Sequence, residues 1–184
     1  MATPAFERKL TPEEYLELER ASPVKHEYRA GHFLAMTGTS DVHNLIVGNL
    51  YMLLRERLRG SPCRVFIADV KVWIKAAEAF YYPDLMVSCE PVISRYYREH
   101  PCLIAEVLSP STAKADTQDK WRDYQKLEGL AEYVLIAQEC MDVRVYRRSQ
   151  SGWDLAIYTD GTLIELTSVG LKIPIERIYQ EVWD

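Results

Sequence analysis

Tyr81-Tyr82-Pro83-Asp84-Leu85-Met86-Val87-Ser88 and, after a polar loop, Pro101-Cys102-Leu103-Ile104-Ala105-Glu106-Val107-Leu108-Ser109-Pro110 are the stretches on which the fold turns. Each reads as a short buried strand carrying one carboxylate. Asp84 follows a proline and leads into Leu85, Met86 and Val87, whereas Glu106 sits between Leu103-Ile104-Ala105 and Val107-Leu108. A carboxylate inside an apolar run is costly unless something pairs with it. Two of them on consecutive strands can share one partner, and a divalent cation is the natural one, since it takes oxygen ligands from one or two carboxylates and from substrate phosphates.

The 184 residues suit one domain with a sizeable core, expected to span residues 1–184. With 48% hydrophobic and 27% charged residues, the composition is that of an ordinary globular protein. No apolar run approaches the roughly 18 residues of a membrane span, and the N-terminus lacks a signal-peptide pattern. The expectation is a cytoplasmic protein without membrane association. Twenty-seven acidic against 22 basic residues give a formal charge of -5, which argues against nucleic-acid binding by the surface as a whole but leaves room for a local contact. Cys63, Cys89, Cys102 and Cys140 are scattered singly and read as reduced, mostly buried thiols.

Around the two stretches, the chain alternates clear signals. Thr11-Pro12-Glu13-Glu14 opens a helix with a capping box, expected to run to about Arg20. Lys25 to Arg29 and His32 to Met36 read as two strands around Ala30-Gly31. Gly38 to Asp41 caps a helix whose Val42, Leu45, Ile46, Leu50, Leu53, Leu54 and Leu58 keep helical spacing to near Gly60. Arg64 to Ile74 alternates as one strand, and Glu90 to His100 reads as a polar, mobile loop. A third helix is expected from Asp116 or Thr117 to Leu127, with Asp116, Lys120 and Tyr124 on one face. Strands follow at 133–137, 143–146, 153–158 and 162–166, then a brief terminal helix through Arg177 and Ile178. Strand, helix, strand from Cys102 to Ala137 implies a crossover and a parallel pair, and the later strands imply hairpins. The fold class is therefore α/β (α+β): a central mixed β-sheet flanked by helices, with additional antiparallel strands.

Pro83-Asp84 followed by Glu106 resembles the half-signature of the PD-(D/E)XK nucleases. Glu106-Val107-Leu108-Ser109-Pro110-Ser111-Thr112, then Asp116, Lys120, Tyr124, Gly129 and Glu132-Tyr133, with Glu27, Gly31, Met36 and His43 upstream, resembles the Uma-type family of "putative restriction endonucleases" within that superfamily, from about Thr11 to Tyr179. The resemblance implies a restriction-endonuclease-like core and a metal-dependent nuclease that hydrolyses phosphodiester bonds of DNA, with Mg²⁺ or Mn²⁺ as cofactor and a homodimer as one possible assembly. It implies that Asp84, Glu106 and the Val107 carbonyl hold the metal. The superfamily motif places a lysine two residues after the glutamate, where this chain has Leu108, and Lys120 on the following helix is the candidate replacement.

Other positions carry two readings. Lys120 either serves the site or pairs with Asp116 on the helix surface. Glu27 either adds a carboxylate or pairs with Lys25 or Arg29. His43 either faces the site or packs, Tyr124 either bonds a carboxylate or packs, and Ser109 either supports Glu106 or, with Thr112, caps the third helix. Asp69-Val70-Lys71 imitates a D-x-K motif without a Pro-Asp before it and reads as half-buried strand. Arg55, Arg57, Arg59, Arg64, Arg144, Arg147 and Arg148 are candidate phosphate contacts or solvated faces. The functional alternative to a nuclease is a non-catalytic module that keeps the fold and binds nucleic acid or protein without cutting.

Overall fold

The computed structural model describes residues 9–36, 38–109 and 115–183, with the backbone alone at residues 115 and 116. The first half contains α1 (Pro12–Ala21), β1 (His26–Arg29), β2 (His32–Ala35), α2 (Asp41–Arg57), β3 (Arg64–Ile67), β4 (Lys71–Ile74), β5 (Ala79–Tyr81), β6 (Leu85–Ser88) and β7 (Tyr97–Arg98). The second half contains β8 (Pro101–Leu108), a π-helical turn (Ala115–Lys120) running into α3 (Trp121–Tyr124), β9 (Glu132–Ala137), β10 (Asp142–Ser149), β11 (Gly152–Thr159), β12 (Leu163–Leu166) and β13 (Leu171–Pro174).

Local chemistry sets the early elements as the sequence predicts. The capping box of α1 is formed in both directions, with Glu14 N donating to Thr11 Oγ1 at 3.2 Å and Thr11 N donating to Glu14 Oε2 at 2.9 Å. β1 and β2 pair antiparallel around Ala30 and Gly31, both at positive φ, which is the turn whose twist matches a two-residue hairpin. In α2, Ser40 is the N-cap and His43, Ile46, Leu50, Leu53 and Leu54 form the buried stripe. Burying each of the aliphatic members contributes about 2 kcal/mol.

The strands form a six-stranded sheet in the order β11-β10-β9-β8-β6-β3, a five-stranded sheet in the order β2-β1-β5-β4-β7, and the β12–β13 hairpin. The crossover through the π-helical turn and α3 joins β8 to β9 as the expected parallel pair, while the neighbouring pairs are antiparallel. One face of the large sheet, with Leu85, Val87, Leu103, Ala105 and Val107, packs against α2 and the β12–β13 hairpin. The other, with Met86, Ile104, Tyr133 and Leu135, packs against Tyr124 of α3 and Val72, Ile74, Ala79 and Tyr81 of the small sheet.

Four expectations change. Arg64 to Ile74 is two strands in different sheets, broken at Ala68, which takes φ of +46°; its alternation happens to run on through the turn. Lys71, expected on a polar face, is buried and donates to the Tyr82 hydroxyl at 3.0 Å. The 90–100 loop is pinned by β7, which pairs with β4 and buries Arg98 against the Phe66 ring. The third helix is a π-helical turn with one α-turn after it rather than a continuous helix to Leu127. The thiol reading is also corrected: Cys63 and Cys89, the next opposed pair beyond Arg64 and Ser88, form a disulfide, and Cys102 and Cys140 are free. Strand register, which residue spacing does not reveal, brings that pair together. Among the described residues no helix is long and apolar enough to cross a membrane.

Six of the twelve tyrosines, Tyr15, Tyr28, Tyr81, Tyr82, Tyr124 and Tyr179, have hydroxyl pKa values raised first by burial, Tyr28 to about 12. The fold thus prefers their neutral form. Their contribution to stability is complete below the unfolded value of 10 and is lost as pH rises through the folded values. Alkaline titration followed at the phenolate absorbance should show these six ionising only with unfolding. Denaturant-melt stability should fall by roughly 1.4 kcal/mol per pH unit for each such tyrosine above pH 10.

Candidate active site

β6 and β8 pair with Leu85 opposite Ala105, so the next step of that register sets Asp84 opposite Glu106. Each carboxylate completes the other strand's hydrogen bonding. Asp84 N donates to Glu106 Oε2 at 3.1 Å, and Val107 N donates to Asp84 Oδ2 at 2.8 Å. The proline before Asp84 has no N–H to place there and fixes the chain's entry into β6. The two acids are therefore built into the strand ends.

Glu106 is 2% exposed and Lys120 is 8% exposed. Burial on this scale requires charge compensation, and the π-helical turn supplies it: Lys120 Nζ lies 3.3 Å from Glu106 Oε1 and 3.0 Å from Glu27 Oε1. Tyr124, one helical turn later, donates its hydroxyl to Glu106 Oε1 at 2.8 Å. Burial, then the adjacent Glu106 charge, pushes the Tyr124 hydroxyl well above its ordinary pKa, which keeps it a donor. The two readings of Tyr124 are both realised, since its ring also packs on Tyr81 and Tyr133. Glu27 pairs with neither Lys25 nor Arg29; its Oε1 also accepts from Tyr82 N at 3.2 Å.

His43 opens the buried stripe of α2 and places Nε2 3.0 Å from Asp84 Oδ2. Its helix end is tied to β8 and β9 through a second chain of contacts. Ser40 Oγ accepts from His43 N and donates to Gln138 Oε1 at 2.7 Å, while Gln138 Nε2 donates to the Leu108 carbonyl at 2.7 Å. Ser109 follows directly on β8 and is half-buried. Thr112 and Ser111 lie outside the described residues, as does the Asp116 side chain.

The structure thus brings Asp84, Glu106, Val107 and Lys120 together, and with them Glu27, His43 and Tyr124, for which the sequence leaves two readings open. Sequence reading missed the buried supports. Asp123, 1% exposed, binds Arg29 Nε at 2.9 Å, the Tyr81 hydroxyl at 2.8 Å and Lys126 Nζ at 3.0 Å, locking α3 onto the small sheet. Asp123 precedes Tyr124 by one residue and follows Lys120 by three, a placement that could have marked it. Gln138 carried no comparable signal. Arg147 is held by Glu132, the Tyr158 hydroxyl and the Glu165 carbonyl, and Arg148 by the carbonyls of Gln125, Leu127 and Leu130, so both serve the fold. Arg55 and Arg57 lie at the end of α2 remote from His43, with Arg57 on the Gly170 carbonyl. Asp69 pairs with Lys25 at the surface.

Two carboxylates, Glu106 and Glu27, flank the Lys120 ammonium, and Asp84, opposite Glu106, adds a third negative charge that His43 contacts. Among the described residues Asp84 Oδ1 takes no hydrogen bond, and Asp84 is the more exposed of the two opposed acids. No cluster of three or more His, Cys, Asp or Glu side chains among the described residues is arranged to enclose a metal. An all-oxygen, doubly negative and incompletely enclosed donor set fits a hard divalent cation that keeps waters or phosphate oxygens as ligands, and does not fit a closed zinc site.

A model of the Uma2 family, described as "Putative restriction endonuclease", matches residues 12–176. The chain is 35% identical over 175 residues to the uncharacterized protein slr1290 of Synechocystis sp., covering 94% of this chain and 92% of that one. It is 36% identical over 143 residues to the uncharacterized protein sll1609 of the same organism, covering 76% and 81%. The fold is shared with the crystal structure of "a putative nuclease belonging to DUF820" from Anabaena variabilis, at a TM-score of 0.78 over 95% of this chain and 99% of that one, with 18% identity.

Removing the Lys120 ammonium takes a cationic partner away from the buried Glu106 carboxylate. Lys120→Met should lower stability by about 3 kcal/mol, and adding Glu106→Gln should recover part of that loss. Urea melts of both variants and of the double variant measure the coupling.

Proposed function

This chain belongs to the Uma2 family, and on that footing we propose that it is a divalent-metal-dependent nuclease hydrolysing phosphodiester bonds of DNA. The observation that carries the reading is the meeting of Asp84, Glu106 and Lys120, drawn from two strands and the crossover after them, with Asp84 facing Glu106 and Glu106 facing Lys120. Asp84, Glu106 and the Val107 carbonyl would hold Mg²⁺ or Mn²⁺. Such an ion, when bound, polarises a phosphoryl oxygen and makes a coordinated water acidic.

The remaining steps belong to the protein's own residues. Val107 N–H and His43 Nε2 occupy Asp84 Oδ2, which leaves Oδ1 for a ligand. Tyr124 fixes the Glu106 carboxylate from its buried side. Lys120 presents its ammonium from the helix in place of the lysine that Leu108 displaces, where it neutralises charge on the phosphate and orients the attacking water. Glu27 holds that ammonium in position. The buried aromatic floor of Tyr81 and Tyr124 excludes water from beneath the two acids.

Leu108 at the motif position also motivates a second reading, a module that binds nucleic acid or a partner protein without cutting. Purified protein incubated with plasmid, single-stranded and branched DNA should cleave at least one of them with Mg²⁺ or Mn²⁺ and none in chelator. Asp84→Asn should lose at least about a hundredfold in rate. Calorimetry should show metal binding by the wild type that the Asp84→Asn, Glu106→Gln double variant lacks. Metal and DNA binding without cleavage would select the module, and cleavage unchanged by Asp84→Asn would remove the site assigned here.

A further inference from the structure

The large sheet has two edges, and they differ. β3 at one end is four residues long, begins with Arg64 and stops at the Ala68 turn. β11 at the other end is eight residues long and pairs with β10 in unbroken register from Gly152 opposite Ser149 to Thr159 opposite Asp142. Among the described residues, backbone groups of 152–158 make no main-chain hydrogen bonds outside that ladder. β11 also lacks the usual protections of a free edge: it has no proline, no lysine or arginine and no bulge, and Asp154 is its only charge.

Its side chains point the same way. Glu106 is opposite Leu135, Leu135 opposite Arg144, and Arg144 opposite Ile157, so Ile157, Leu155 and Trp153 stand on the face of the sheet that carries Glu106. Trp153 is packed against Trp121, whereas Leu155 and Ile157 are 48% and 57% exposed. A long unpaired edge carrying exposed aliphatic side chains is a surface built to be covered.

We propose that β11 pairs antiparallel with β11 of a second copy of this chain, joining two six-stranded sheets into one of twelve strands about a twofold axis. The pattern of the strand selects this occupant. Directly opposed residues in a sheet point to the same face, so the axis passes through a residue, and the fullest overlap places it at Leu155 or Ala156. With the axis at Ala156, Leu155 faces Ile157 of the other copy and Ile157 faces its Leu155, which closes the exposed aliphatic row on itself. The same register sets Asp154 opposite Tyr158, whose hydroxyl accepts from Arg147 Nη2 at 2.8 Å and keeps its own proton for the carboxylate. With the axis at Leu155, Asp154 would face Ala156 and gain no donor. An isologous contact of this kind closes as a dimer, and the dissimilar, short β3 edge gives no head-to-tail continuation.

Sedimentation equilibrium of the full chain at micromolar concentration should give twice the 21.3 kDa chain mass. The Leu155→Lys, Ile157→Lys variant should give the chain mass itself, with an unchanged circular dichroism spectrum and cooperative melt. In a Cys140→Ser background, Ala156→Cys should cross-link to itself under mild oxidation and Leu155→Cys should not. A monomeric wild type, or a dimer that survives the double lysine substitution, overturns the interface. A dimer that the substitution dissociates but Ala156→Cys does not cross-link overturns the Ala156 register. None of these readouts depends on cleavage, so the proposal stands or falls apart from the nuclease reading.

Discussion

The site depends on one buried carboxylate. Glu106 stands near the end of the largely buried β8, where an isolated charge would be too costly to keep. Its burial is tolerated because donors from three separate segments reach it: the Asp84 N–H at the start of β6, the Lys120 ammonium from the π-helical turn and the Tyr124 hydroxyl from α3. Each donor fixes the position of the segment that carries it. Compensation of a single charge therefore also determines where the crossover lies on the sheet and how the two acids face each other.

That requirement extends to the small sheet. Lys120 is shared between Glu106 and Glu27, and Glu27 lies on β1, an element otherwise remote from β8 in the chain. Asp123 reinforces the same junction by holding Arg29 from the next part of β1 and Tyr81 from the end of β5. The five-stranded sheet is thus docked through polar contacts on either side of a hydrophobic cluster. Deeply buried ion pairs of this type add little net stability over apolar packing but tolerate few alternative arrangements. Here they specify the alignment of two sheets around a common edge.

Much of this arrangement was legible before the structure. The capping box of α1, the stripe of α2, the crossover from β8 to β9 and the two acids followed from local patterns with direct physical meaning. The errors arose where meaning depended on distant partners. Alternation through Arg64–Ile74 could not disclose that Ala68 sends the chain from one sheet to the other, and single cysteines could not disclose that register pairs Cys63 with Cys89. Lys71 looked like an exposed strand residue because its Tyr82 partner is eleven residues away. Asp123 drew no notice because its partner Arg29 comes from a distant strand.

On the proposed nuclease reading, Lys120 stands in for the lysine that the motif places where this chain has Leu108. Residues two apart on a strand share a face, so a lysine at the Leu108 position would rise on the same side as Glu106. Here that position carries a leucine, and the face is instead reached from above by the chain that leaves β8 and returns through the crossover. A lysine at the end of the π-helical turn lies 3.3 Å from Glu106 Oε1, and Tyr124 four residues later donates to the same oxygen. On that reading the chemistry requires an ammonium beside the acid pair, which is a condition on space rather than on spacing along one strand. The cost of satisfying it from a helix is that the ammonium needs a second anchor, and Glu27 from the small sheet provides it.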